Sequence, residues 1–258
     1  MLGVCMIQVF LLYVFISVYS LLSMPSSTIY DNPLIQEMQE FQAEFLQQRA
    51  ILHQFIQKKD VAGVRNILNT ELFNAYWYEL GTKFDYHFST IQFALHSGNA
   101  EILKLVLCAV PAGFKPDVNN VYYCAVPYYS AGCQAPQFLQ NGLLHEALRL
   151  EHLDIVRMLL NAQQEIGSYW DANVNLIGWN MQLGCYEFPL SIAVRAYHSI
   201  CVSDDENRQT LLLQWLDIIK IIRRRCTHKQ AMDDAFLYCW QNQLNEVSQL
   251  FFEFLNER

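Results

Sequence analysis

The stretch Asn141 to Asn161, NGLLHEALRLEHLDIVRMLLN, carries two short apolar runs on either side of a polar break. Leu143 and Leu144 lead into His145, Glu146 and Ala147. Arg149 to His152 interrupt, and Ile155, Val156, Met158, Leu159 and Leu160 follow. Apolar residues at steps of three and four predict a helix on each side of the break. Two short helices joined by a tight turn fit this pattern better than one continuous helix. Helices of that length are marginal alone in water, so each requires a neighbour of the same kind.

Such neighbours recur along the chain. Ser89 to Leu107, STIQFALHSGNAEILKLVL, places Ala94 on Ala147, Gly98 on Glu151, Glu101 on Asp154 and Ile102-Leu103 on Ile155-Val156. Both stretches keep an eight-residue step from alanine to isoleucine. LHQFIQKKDVAGVRNIL, Leu52 to Leu68, reads as a poorer copy. Before it, Leu34, Met38, Phe41, Phe45, Leu52 and Phe55 mark an amphipathic helical region, with Asn32-Pro33 as cap and first position. A further copy opens at FPLSIAV (188–194), its second helix expected over Trp215 to Arg224 after a polar inserted loop, AYHSICVSDDENRQT (196–210). The last, AMDDAFLYCWQNQLNEVSQLFF (231–252), puts Ala235 at the small-residue position and reads as a capping repeat.

These copies resemble degenerate ankyrin repeats. The family's first-helix signature T-P-L-H-x-A is matched by Leu144, His145 and Ala147 in one copy and by Pro189, Leu190 and Ala193 in another. Its second-helix pattern G-H-x-E-I-V-x-x-L-L is similar to Gly98, Glu101, Ile102 and Leu103, and to His152, Asp154, Ile155, Val156, Leu159 and Leu160. DANVN, Asp171 to Asn175, is similar to the family's loop phrase. The resemblance covers about four copies over residues 50–255, none with the full signature. It implies an all-α fold, an ankyrin-like solenoid of stacked helix-turn-helix repeats. The repeat of about 33 residues is stretched here: Ala94, Ala147, Ala193 and Ala235 are separated by 53, 46 and 42 residues. The connections between helix pairs are therefore long. The expected organisation is a hydrophobic segment over 1–23, an N-terminal helical cap over 24–49 and a degenerate ankyrin-repeat domain over 50–258.

Composition bounds the partners. The net charge of −8 argues against nucleic acid, since phosphate binding needs a basic surface. Apolar residues make up 53% and charged residues 16%, with no charge before Asp31. Of eight cysteines none stands in CxxC spacing, which removes zinc ribbons and thioredoxin-like sites from consideration. Cys124 and Cys133, sharing one connection, form the pair to suspect of a disulfide outside a reducing compartment.

The first 23 residues, MLGVCMIQVFLLYVFISVYSLLS, admit three readings. Their length suits a membrane anchor; Val18 and Ser20 suit a signal cleavage site; and Met24 suits a true start. No Lys or Arg precedes the apolar run, against the usual flanks of the first two readings. Localisation stays open accordingly: cytosolic or host-cell from Met24, otherwise anchored or exported.

Chemistry finds few footholds. His145-Glu146 with His152 lacks the i, i+4 histidine spacing of a helical zinc site, and His145 in register is a backbone-capping framework residue. A thiol site built on Cys124 or Cys133 with His145 matches no local signature, and no phosphate loop or nucleophile elbow is present. No catalytic residue, metal or cofactor is expected. Arg223-Arg224-Arg225 reads either as a helix C-terminus complementing the dipole or as a docking patch for an acidic partner.

The enlarged connections carry the functional expectation. They are rich in rings, and insertions in repeat arrays often form the binding face. Tyr and Trp dominate protein–protein contacts. The expected partner-binding residues are Trp77, Tyr78, Tyr86, Tyr122, Tyr123, Tyr128, Tyr129, Trp170 and Trp179. The expected function is non-catalytic protein–protein interaction, effector-like by the resemblance. A membrane-tethered or exported envelope protein is the alternative, and a thiol enzyme a third.

Overall fold

Left-handed backbone at Glu151, φ 57°, ends the helix Leu143–Arg149 and lets Leu153–Leu160 begin. This turn was obtained from a computed structural model of the chain that describes residues 33–70, 90–109, 121–123, 139–162, 171–180 and 183–256. The described residues are mostly helical: α1 Pro33–Gln57, α2 Val61–Leu68, α3 Thr90–His96, α4 Ala100–Ala109, α5 Leu143–Arg149, α6 Leu153–Leu160, α7 Pro189–Cys201, α8 Arg208–Arg225, α9 Lys229–Gln241 and α10 Asn245–Asn256. Two short antiparallel hairpins accompany them: β1 Val121–Tyr123 with β2 Leu139–Asn141, and β3 Gly178–Asn180 with β4 Cys185–Glu187. Residues 1–51 form one unit and 52–258 a second. In the first, the amphipathic region read from the sequence is the greater part of α1.

Among the described residues no helix is long and apolar enough to cross a membrane. The 1–23 segment, with its three readings, lies outside them.

In the second unit the turn at Glu151 is repeated. Lys59 (φ 55°), Gly98 (φ 71°) and Gln243 (φ 56°) occupy the same place in α1/α2, α3/α4 and α9/α10. In three of these turns one hydrogen-bond pattern recurs: Glu151 N donates to Leu148 O and His152 N to Ala147 O, as Lys59 does to Ile56 and Asp60 to Phe55, and Gln243 to Trp240 and Leu244 to Cys239. This is a Schellman closure, which satisfies the carbonyls a helix end leaves open. Asp60 and Asn99 then cap the second helices, their side chains accepting from Gly63 N and from Glu101 N and Ile102 N.

The turn fixes the register of the packing. Four residues before it stand Ala94, Ala147 and Cys239, and four after it Ile102, Ile155 and Val247, all fully buried. The small residue lets the two helices approach, and the branched one fills the space. Cys239, not Ala235, therefore holds the small-residue position of the last pair; Ala235 lies one turn earlier. In the first pair the sizes are exchanged. Phe55 stands at the small position and Gly63 opposite, where any Cβ would overlap the Phe55 ring.

Helices of like rank pack in chain order: α3 on α5, α5 on α7 and α7 on α9, with α2 on α4, α4 on α6 and α6 on α8. The turns follow the same order. His152 lies against Gly98, so close that a Cβ there would sit 3.0 Å from its Cε1. Gly98 is thus favoured twice, by φ and by space. Burial, reinforced by the charge of His96, lowers the His152 pKa.

The α7/α8 pair departs from expectation. The polar stretch 196–210 is not one long loop, because α7 runs to Cys201 and α8 begins at Arg208, well before Trp215. Tyr197, Ile200 and Trp215 are buried, so apolar residues within and beyond the polar stretch hold both helices in place.

Candidate interaction surface

The connection from Asp171 to Phe188 is secured at both ends by groups from separate helices. His145 on α5, wholly buried, hydrogen-bonds through Nε2 to the Leu176 carbonyl at 3.0 Å. Its role is therefore long-range, not the local backbone cap expected from its register. From the end of α8, Arg225 donates to Leu160 O (2.7 Å), Asp171 Oδ1 (2.8 Å) and Ala172 O (3.0 Å). Asn175 Oδ1 accepts from the Thr227 and His228 amides at 2.7 and 3.1 Å. The DANVN phrase thus ties one helix pair to the next. Replacing Arg225 with Met is expected to cost about 1–2 kcal/mol and to speed amide hydrogen exchange over 171–180, leaving α3 and α4 unchanged.

Burial dominates the chemistry of His145. It lowers the pKa to about 3, with Arg149 acting in the same direction. The unfolded chain takes up a proton at this histidine near pH 6.5, the folded chain only far below. Stability is therefore full above pH 6.5 and falls on acidification, by up to about 1.4 kcal/mol per pH unit. Urea unfolding of His145→Asn at pH 7, 6 and 5 is expected to show a shallower pH slope. A residual slope from His152, whose shift has the same sign, remains.

Beneath the second hairpin lies a charged cluster. Glu187, at the end of β4, is almost wholly buried. Its carboxylate meets Arg149 of α5 at 3.3 Å, Arg195 of α7, and the Asn180 amide of β3. Arg149 is shared with Glu146 at 2.7 Å. Arg149 and Arg195 each stand two residues after the small alanine of their helices, so one carboxylate joins equivalent positions of successive pairs. Beside it a cavity of about 130 Å³ is lined by Tyr186, Glu187, Ser191, Arg195, Asp234 and Tyr238. That is below the roughly 300 Å³ at which ligand pockets begin. An open groove of about 630 Å³ crosses α2, α4 and α6, where Arg65–Glu101 and Asp154–Arg157 pair off. Burial pushes the Cys239 thiol up to about 12 and raises Cys226 and Cys201 as well. Among the described residues these three thiols are thus the opposite of activated nucleophiles. Cys124 and Cys133 lie outside them.

On this support the connection exposes apolar side chains. Ile177, Leu183 and Tyr186 are 42%, 57% and 61% exposed. Trp179 pairs in register with Tyr186, and Tyr122 with Gln140 in the first hairpin, where Tyr123 faces Leu139. Strand β2 lies against β3, so the two hairpins are neighbours. Three of the nine expected binding residues, Tyr122, Tyr123 and Trp179, thus fall on adjoining strands. Trp77, Tyr78, Tyr86, Tyr128, Tyr129 and Trp170 lie outside the described residues. Ile177 and Leu183 were not foreseen, for single aliphatics in a loop carry no pattern.

The basic run does not form a patch. Successive residues on a helix point about 100° apart. Arg223 turns inward and donates to the Leu250 carbonyl, Arg225 is held by the connection, and only Arg224 is exposed. Of the three arginines, then, Arg224 alone is presented to solvent, with His228 and Lys229 exposed just beyond it.

No family model, no curated protein and no solved structure matches the chain.

Proposed function

We propose that the chain is a non-catalytic interaction module of ankyrin-like design, a solenoid of degenerate helix pairs that binds another protein through its aromatic connections. The observation that carries the reading is the 171–188 connection: polar groups of α5, α7 and α8 secure it, and it turns Ile177, Leu183 and Tyr186 outward. A surface held in place before binding loses little freedom on association, which favours affinity. The recurring left-handed turn, and the small-to-branched step shared by three of the four pairs that carry it, support the repeat reading. The spread of rings over three connections supports binding by a few aromatic anchors.

Exchange of Tyr122, Tyr123, Tyr128 and Tyr129 for Ser tests the first aromatic connection. Partner capture is expected to fall at least tenfold while helicity and the unfolding midpoint stay unchanged. A large loss of stability would instead assign those rings to the core and overturn their binding role.

A further inference from the structure

The last described helix pair presents a second surface, which meets the 171–188 connection only at its edge, where Asp234 lines the small cavity beside Glu187. Counting back from the left-handed turn, the third residue is Ile56, Leu95 or Leu148 in three earlier pairs, each fully buried. In α9/α10 it is Trp240, 68% exposed. The sixth residue back is His53, Gln92 or His145 in those pairs, and Leu237, 50% exposed, in the last. A helix pair closing a stack needs a polar outer face for solubility. This one instead exposes a Trp where the earlier pairs bury an aliphatic residue, and a Leu where two of them bury Gln92 and His145. Asp233, Leu237 and Trp240 follow one another at steps of four and three, so they share a face of α9. That face is opposite the buried Ala231 and Ala235. Phe236 packs edge-on against Phe252 at 5.2 Å, and Phe252 is 52% exposed, which extends the patch onto α10.

We propose that this face docks an amphipathic helix of a different protein, whose apolar stripe is edged by Lys or Arg. The shape of the occupant follows from the register, since the same positions of earlier pairs are buried in helix packing. Its charge follows from the rim: Asp233 and Asp234 are exposed, and no ion pair engages them among the described residues. A second copy of this chain would bring the same acidic rim and a net charge of −8 against it, which disfavours self-association.

Fluorescence anisotropy of the full chain with a fluorescein-labelled helical 18-residue peptide of Leu and Lys, and with its Leu/Glu counterpart, tests this. The Lys peptide is expected to bind at least tenfold more tightly than the Glu peptide. Trp240→Ser and Leu237→Ser, at exposed positions, should each weaken it at least tenfold with unchanged circular dichroism. Asp233→Lys with Asp234→Lys should erase the preference for lysine. Tyr186→Ser should leave this binding intact, which separates it from the connection surface. Undiminished binding to both Trp240→Ser and Leu237→Ser would overturn the proposal. So would a wild-type dimer in sedimentation that Trp240→Ser makes monomeric, for it would assign the face to a second copy.

Discussion

Exchanging Glu187 for Ala is expected to lower the free energy of unfolding by about 4 kcal/mol, read from urea denaturation at neutral pH. Removing one member of a buried ion pair costs about 3–5 kcal/mol, because the remaining charge stays desolvated without compensation. Here two guanidiniums lose their partner. Arg149, largely buried, keeps Glu146, so most of the cost falls on Arg195, whose own burial already lowers its pKa. The Asn180 amide loses its acceptor as well. Glu187→Gln retains the shape and is expected to cost less, about 2–3 kcal/mol. Glu187→Met with Arg195→Met removes both the carboxylate and its most dependent partner while leaving Arg149–Glu146 in place. That double variant is expected to recover much of the loss. A single variant within about 0.5 kcal/mol of wild type would mean that the cluster does not hold the hairpin.

The second large effect concerns Phe55 and Gly63. Gly63→Ile is expected to destabilise by about 3 kcal/mol, since its side chain meets the Phe55 ring and overpacking of this kind costs about 1–3 kcal/mol or more. Phe55→Ala leaves a void at a half-buried position, expected to cost about 2 kcal/mol. Combined, the two substitutions recreate the arrangement of Ala94 with Ile102 and of Ala147 with Ile155. The double variant is therefore expected to be more stable than either single one, with a favourable coupling of about 2 kcal/mol or more. Additive losses would contradict the register inferred from the left-handed turns.

Much of the helix pairing is legible in the sequence, because a residue with left-handed backbone between two apolar runs punctuates it locally. Gly98 announces such a turn; Lys59, Glu151 and Gln243 do not, and there the apolar periodicity alone carries the reading. The misplacement of Ala235 has the same origin. Alanine and cysteine are equally small, and without a glycine at Gln243 nothing in the sequence anchors the count. The second helix of the α7 pair was expected too late because its first turn is polar, with Arg208, Gln209 and Thr210 facing outward, while the buried Trp215 and Ile218 come only further on.

The surface was less legible. Tyr and Trp enrichment singled out the connections, yet the support beneath the 171–188 connection depends on contacts between residues far apart in sequence, Arg149 with Glu187 and Arg225 with Asp171. One trace exists: Arg149 and Arg195 share a register position, and Glu187 stands two residues before the helix that carries the second of them. Short hairpins of three-residue strands leave no alternation to detect. The outward face of α9 was read as a cap because the sequence shows where a pattern stops, not whether another helix lies upon it.

Protein binding through the secured 171–188 connection, as proposed above, places the contact at Tyr186 and Leu183. The most direct measurement places a photo-crosslinking amino acid at Tyr186 in one version of the full chain and at Asp217, exposed on α8, in another. Crosslinking in the native cell is expected to yield a discrete heavier adduct from the Tyr186 position alone, lost when Leu183 is also changed to Ser. Identical patterns from both positions, or no adduct from either, would contradict it.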